Sequence, residues 1–278
     1  MSVESLPYTL LLLLAQFTAG VAALVMFVQV RGSFEPAFVR TCSWMTASGA
    51  VLLTLTVLAL DPSTNAGSYQ LNPDMIEPIR AASLALLLFS LAYVFFLRKE
   101  DEAFLANATG ATATGLGLIL LVLTSELVSP PAWSVAGPIL ALFAGALTLG
   151  STMVAMIWGH WYLVKPSLEE GPLNELTLIA LGALLAELAI TALNAIIPVG
   201  TPFESDALLA VDLAANPGFW LRVGIGLLFP ALLTFMAYKS STEHSMMSAT
   251  GLLYIAVGAV LAGEALGRGL LFVTGAPV

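Results

Sequence analysis

Apolar residues in this chain run in long unbroken stretches, and polar positions are confined to the short breaks between them. Eight stretches take up almost the whole sequence, at roughly 7–30, 41–60, 78–97, 103–125, 134–163, 174–197, 218–238 and 246–272. A helix of about 20 apolar residues crosses the roughly 30 Å hydrocarbon core of a bilayer, so each stretch predicts a transmembrane helix. A β-barrel would instead alternate with period two in segments of about 10 residues. The first stretch lacks a basic n-region and a small-residue cleavage site, so it reads as a retained helix and not a signal peptide. The expected fold is all-α: a polytopic transmembrane bundle of about eight helices forming a single integral membrane domain over 1–278. No loop is long enough for an extramembrane domain, the longest running from about 198 to 217.

The breaks carry an orientation signal, because loops on the cytoplasmic side are enriched in Lys and Arg. Arg31 and Arg40 fall in the first loop, Arg98 and Lys99 in the third, Lys165 in the fifth and Lys239 in the seventh. Acidic residues occupy the even loops: Asp61, Asp74, Glu77, Glu126, Glu204, Asp206 and Asp212. This places the odd loops in the cytoplasm and both termini outside, in a multi-pass protein of the inner (cytoplasmic) cell membrane. Composition agrees with the pattern: 59% of residues are hydrophobic, 10% are charged and the mean hydropathy is +0.95. The net charge of −9 says little about partners beyond the lipid bilayer, and no nucleic acid is expected. Cys42 is the lone cysteine, so no internal disulfide can form. No nucleotide, phosphate or zinc motif is present, and no metal site is expected.

Three basic residues depart from the loop pattern: Arg80, Arg222 and Arg268, each near the outer end of a helix. Glu77, Glu126 and Glu264 fall at a similar depth, and Glu264 and Arg268 share a helical face at i and i+4. Singly, such residues read as snorkelling side chains or ion pairs. Together they suggest a polar pocket at the outer interface, suited to a quinone head group or an anionic group. Glu187 is a separate case near the middle of the sixth helix, with Thr191 and Asn194 continuing its face outward. A carboxylate at that depth is protonated, paired within the bundle or in contact with water, and a proton path and a hydrogen-bonded Glu are equally compatible with it.

The fifth helix ends in Trp158-Gly159-His160-Trp161-Tyr162, where an interfacial aromatic belt accounts for the aromatics but not for His160. With His244 at the start of the eighth helix, His160 is a candidate ligand for a single bis-His haem b. Small residues recur through the helices as packing contacts, and Pro230 predicts a kink in the seventh. A two-fold inverted repeat of four helices each stays open.

The string Gly263-Glu264-Ala265-Leu266-Gly267-Arg268 resembles the C-terminal helix of the membrane anchor subunits of dimethyl sulfoxide reductase-type molybdoenzymes, in which a Gly-Glu-Leu-x-Gly-Arg pattern recurs. Related polysulfide reductase-type anchors share the role. The resemblance implies an eight-helix bundle that exchanges electrons between membrane quinol and an iron–sulfur or other redox subunit docked on the outer face, with Glu264 and Arg268 at the quinol side. The expected function is therefore a quinone-interacting anchor subunit of a respiratory electron-transfer complex, non-catalytic by itself. Arg80, Glu126, Glu187, Arg222, Glu264 and Arg268 are its candidate quinone-binding and proton-transfer residues. The alternatives are a haem b cytochrome using His160 and His244, and a proton-coupled secondary transporter using Glu187.

Overall fold

The computed structural model describes residues 3–130, 132–169, 171–199 and 213–278. Among them, eight helices are long and apolar enough to cross a membrane. The first six are α1 (Leu6–Arg31), α2 (Pro36–Leu58), α3 (Ile76–Phe96), α4 (Ala103–Leu127), α5 (Ala136–Val164) and α6 (Gly171–Ile196). The seventh span is composite: α7 (Pro217–Leu221), a π-helical segment (Arg222–Leu228) and α8 (Phe229–Thr242). The last is α9 (Met246–Thr274). Most boundaries fall within a few residues of the apolar stretches. The exception is α2, which starts at Pro36, where a proline's fixed φ suits a first helical turn. Arg40 therefore sits on the helix and not in the loop. The Glu204, Asp206 and Asp212 positions of the sixth loop lie outside the described residues.

The helices form two rings. In the first, α1 packs on α2, α2 on α3, α3 on α4, and α4 returns to α1. In the second, α5 packs on α6, α6 on α8, α8 on α9, and α9 returns to α5. The rings join where α1 meets α5, and these two helices are the most enclosed spans, each with 67% of its apolar window buried. Small residues permit the close crossing: a Cβ on Gly20 would overlap the Ala146 carbonyl, and one on Gly150 would overlap the Gly20 backbone. Each half contains four spans, so the two halves run in the same direction through the bundle. That makes the four-plus-four arrangement parallel and not inverted.

One end of the bundle carries the α2–α3 connection. It holds a two-residue-per-strand hairpin, β1 (Asn65–Ala66) and β2 (Tyr69–Gln70), turning at Gly67 with φ +68°. Tyr69 tucks inward and donates to the Val128 carbonyl at 2.5 Å, with the Phe272 ring 5.0 Å away. Burial pushes the Tyr69 phenol up, which keeps it a neutral donor. Tyr8 shares a hydrogen bond with Ser63 at 2.8 Å. The start of α1 and the end of α9 thus meet at this acidic end. At the opposite, basic end three cations are tied to carboxylates: Arg31 to Glu175 at 3.1 Å, Lys99 to Glu102 at 3.0 Å and Lys165 to Glu35 at 2.7 Å.

Candidate functional site

The second ring encloses four charged side chains, each 0–1% exposed: Glu187 of α6, Arg222 of the π-helical segment, and Glu264 and Arg268 of α9. Nη2 of Arg222 donates to Oε1 of Glu187 and lies 2.6 Å from Oε1 of Glu264. Nη2 of Arg268 donates to Oε2 of Glu264 at 3.0 Å, stands 4.0 Å from Oε1 of Glu187, and reaches the Ala141 carbonyl at 3.4 Å. Gln16 of α1 completes the group: its Nε2 donates to Oε2 of Glu264 at 2.9 Å and to the Leu142 carbonyl at 3.4 Å. Two arginines and two glutamates balance in formal charge, which is how ionised groups are retained at such depth. Gln16, Glu187 and Glu264 lie nine or ten residues from the acidic ends of their helices, about 15 Å at 1.5 Å per residue.

Local sequence makes the space. A Cβ on Gly145 would collide with both the Gln16 amide and the Glu264 carboxylate, so glycine at this point of α5 lets them meet. The α8–α9 side is held open to Arg222 by Gly226, Gly263 and Gly267: a Cβ on Gly263 would stand 3.1 Å from Nη1 of Arg222, and one on Gly267 2.9 Å from its Nε. The π-helical register, with the Phe229 N–H bonded to the Gly224 carbonyl, widens the turn that carries Arg222. Pro230 follows at once and has no N–H to donate, so the irregularity expected from it appears as this wide turn.

Apolar layers bracket the charges. Leu149, Leu184, Leu227 and Val260 pack on the side of the basic end, and Phe219, Leu270, Ala276 and Val278 on the side of the acidic end. Within the charged layer, Nε and Nη1 of Arg222, Nε of Arg268, Oε2 of Glu187 and Oε1 of Gln16 are buried without a hydrogen-bond partner. The site therefore offers unpaired donors on its arginines and unpaired acceptors on Glu187 and Gln16, a few ångströms apart. Buried polar groups left open in this way stand out against the usual satisfaction of protein interiors.

The structure redraws the set expected from sequence. Arg222, Glu264 and Arg268 come together, and Glu187, read as separate, joins them directly through Arg222. Arg222 and Arg268 are fully buried, so the snorkelling reading does not apply to them. Arg80 and Glu126 are not part of the group, because α3 and α4 belong to the other ring, beyond the α1–α5 seam. Arg80 pairs instead with Glu77 at 2.6 Å and donates to the Leu60 carbonyl. Thr191 and Asn194 are buried as their face predicts, with Asn194 donating to the Pro277 carbonyl at 2.8 Å and accepting from Trp133. Nδ1 of His160 is hydrogen-bonded to the Tyr254 hydroxyl at 2.8 Å. His244 lies in the α8–α9 turn with φ +61°, ten residues before Tyr254. Gln16 had no sequence signal beyond being an amide inside an apolar run. No family model matches the chain, and no curated protein or solved structure matches it.

Proposed function

We propose that the chain is a quinone-interacting membrane subunit of an electron-transfer complex, and that the ionic cluster of the second ring is where the quinol head group exchanges its protons. The observation that carries this reading is the coexistence of unpaired donors and unpaired acceptors in one buried, charge-balanced layer. A quinol hydroxyl can donate to Oε2 of Glu187 or Oε1 of Gln16, while a quinone carbonyl can accept from Nε or Nη1 of Arg222. Oxidation removes two electrons and two protons from the quinol; the carboxylates receive the protons one at a time, and the electrons pass to an iron–sulfur or other redox partner at the acidic end. Glu187 and Glu264 contact the same arginine nitrogen, so a proton gained by one is felt by the other. The basic loops orient the acidic end outward in the inner cell membrane.

The test is quinol-linked turnover in native membranes for Glu187→Gln and Glu264→Gln, which keep side-chain shape. Turnover per assembled complex should fall at least tenfold in each, a loss beyond the drop in stability that one missing charge brings. Wild-type turnover in both variants overturns the proposal. A second reading is favoured by the two apolar layers, which resemble the closed gates of an occluded site: proton-coupled transport through Glu187. It predicts instead that Glu187→Gln abolishes proton flux in proteoliposomes supplied with no quinol.

A further inference from the structure

We propose that the chain binds an anionic phospholipid at the basic end of the first ring, with its headgroup on Arg40 and Arg98 and one acyl chain in the groove between α1 and α2. The groove has a volume of about 400 Å³ and is lined by Leu14 and Phe17 of α1 and by Thr41, Trp44, Ser48 and Leu52 of α2, among others. It begins at the basic end, where Thr41 and Trp44 stand, and runs from Thr41 to Leu52, about 16 Å along α2. Its walls are mostly apolar and it opens outward from the seam, which in a bilayer means toward hydrocarbon.

The charge at its mouth specifies the occupant. Arg31, Lys99 and Lys165 are each neutralised by a carboxylate. Arg40 and Arg98 have no acidic partner among the described side chains, and both are exposed. They are brought to one place by Trp44. Arg40 precedes it by four residues on the same face of α2. The Arg98 guanidinium, just beyond the end of α3, lies 5.4 Å from the Trp44 ring centroid. Two unneutralised guanidinium groups on one side of the bundle's basic end attract an anion, and an exposed indole at this depth marks the headgroup level. Bidentate donors suit a phosphate. A phosphate and an apolar chain in continuous register are the two halves of a phospholipid, and a lipid with a net negative headgroup leaves a favourable charge balance where a zwitterionic one does not. The site is on the other ring from the buried cluster and does not rest on the quinone reading.

The experiment is native mass spectrometry of the full chain in mild detergent, titrated with phosphatidylglycerol, with phosphatidylcholine of the same acyl chains, and with glycerol phosphate. The expected result is an adduct with phosphatidylglycerol at lipid concentrations at least tenfold below those needed for phosphatidylcholine, and none with glycerol phosphate. Arg40→Gln/Arg98→Gln should abolish that preference, while Ser48→Trp, which obstructs the groove and leaves both arginines, should weaken retention of both lipids. All three positions are exposed, so unchanged melting temperatures verify folding, and Arg98→Gln alone serves if the double variant is unstable. An undiminished preference in the arginine variants, or retention in Ser48→Trp equal to wild type, overturns the proposal. Equal binding of glycerol phosphate would show an anion site without a lipid chain, and overturns it too.

Discussion

At the scale of single residues, the second ring is governed by the cost of a charge without its partner. Removing one member of a buried ion pair costs about 3–5 kcal/mol, because the remaining charge stays desolvated. Arg222→Met leaves Glu187 and Glu264 with Arg268 alone, so it should lower unfolding stability in mild detergent by about that amount. Arg222→Met combined with Glu187→Gln leaves the Glu264–Arg268 pair balanced and should recover most of the loss; a double variant no better than the single would refute the charge-balance account. A surface carboxylate behaves differently. Glu35 accepts from Lys165 at 2.7 Å and from Nε1 of Trp161 at 3.1 Å. The Lys165 hydrogen bond first, and the Trp161 bond second, hold its carboxyl below the usual carboxylate range. A lowered folded value means the contact contributes above the ordinary glutamate range and is lost as pH falls through the lowered value. The Trp161 contribution to fluorescence, taken against Trp161→Phe, should change on acidification only below the ordinary glutamate range, and Lys165→Met should move that transition to higher pH. These two sites also differ in legibility. Glu264 and Arg268 announce their pairing by a four-residue spacing, whereas Gln16 meets Glu264 across 248 residues of chain, and nothing local encodes that meeting.

At the scale of elements, glycine decides how near the helices come. A Cβ on Gly263 would fall on the Cα of Gly226 and within 3.0 Å of the Gly226 carbonyl, so α9 and the π-helical segment touch through backbone. Gly258 of the same helix faces open space. Gly263→Ala should therefore destabilise by about 1–3 kcal/mol through forced separation and shift the Arg222 guanidinium. Gly258→Ala should be neutral or slightly stabilising, since glycine is the poorer helix former. Equal melting temperatures for the two would show that the crossing is not tight. Sequence shows both positions as small residues in an apolar run and cannot tell them apart, because the distinction belongs to the facing helix. The π-helical segment is similar: Pro230 signals an irregularity in the seventh span, but its form depends on what Arg222 must reach.

At the scale of the whole molecule, the eight described spans return the chain to the end where it began, and the basic loops lead to the proposal that this end faces outward. Cys42 is buried, so single introduced cysteines report topology. Ser68→Cys, exposed in the hairpin turn, should react with an impermeant maleimide in intact cells, while Ser33→Cys, exposed in the α1–α2 loop, should react only after permeabilisation. The reverse pattern would invert the topology. The sequence by itself determined the number and approximate limits of the spans, because crossing hydrocarbon imposes a length and an apolar composition on each segment independently of the others. It also marked Arg222, Glu264, Arg268 and Glu187 as costly residues in need of partners. Only the tertiary structure decided which partners they have. The division into two rings at the α1–α5 seam puts Glu187 beside Arg222, brings Gln16 in from the first helix, and leaves Arg80 and Glu126 outside, because pairing across helices depends on rotation and neighbour order, which hydropathy does not carry.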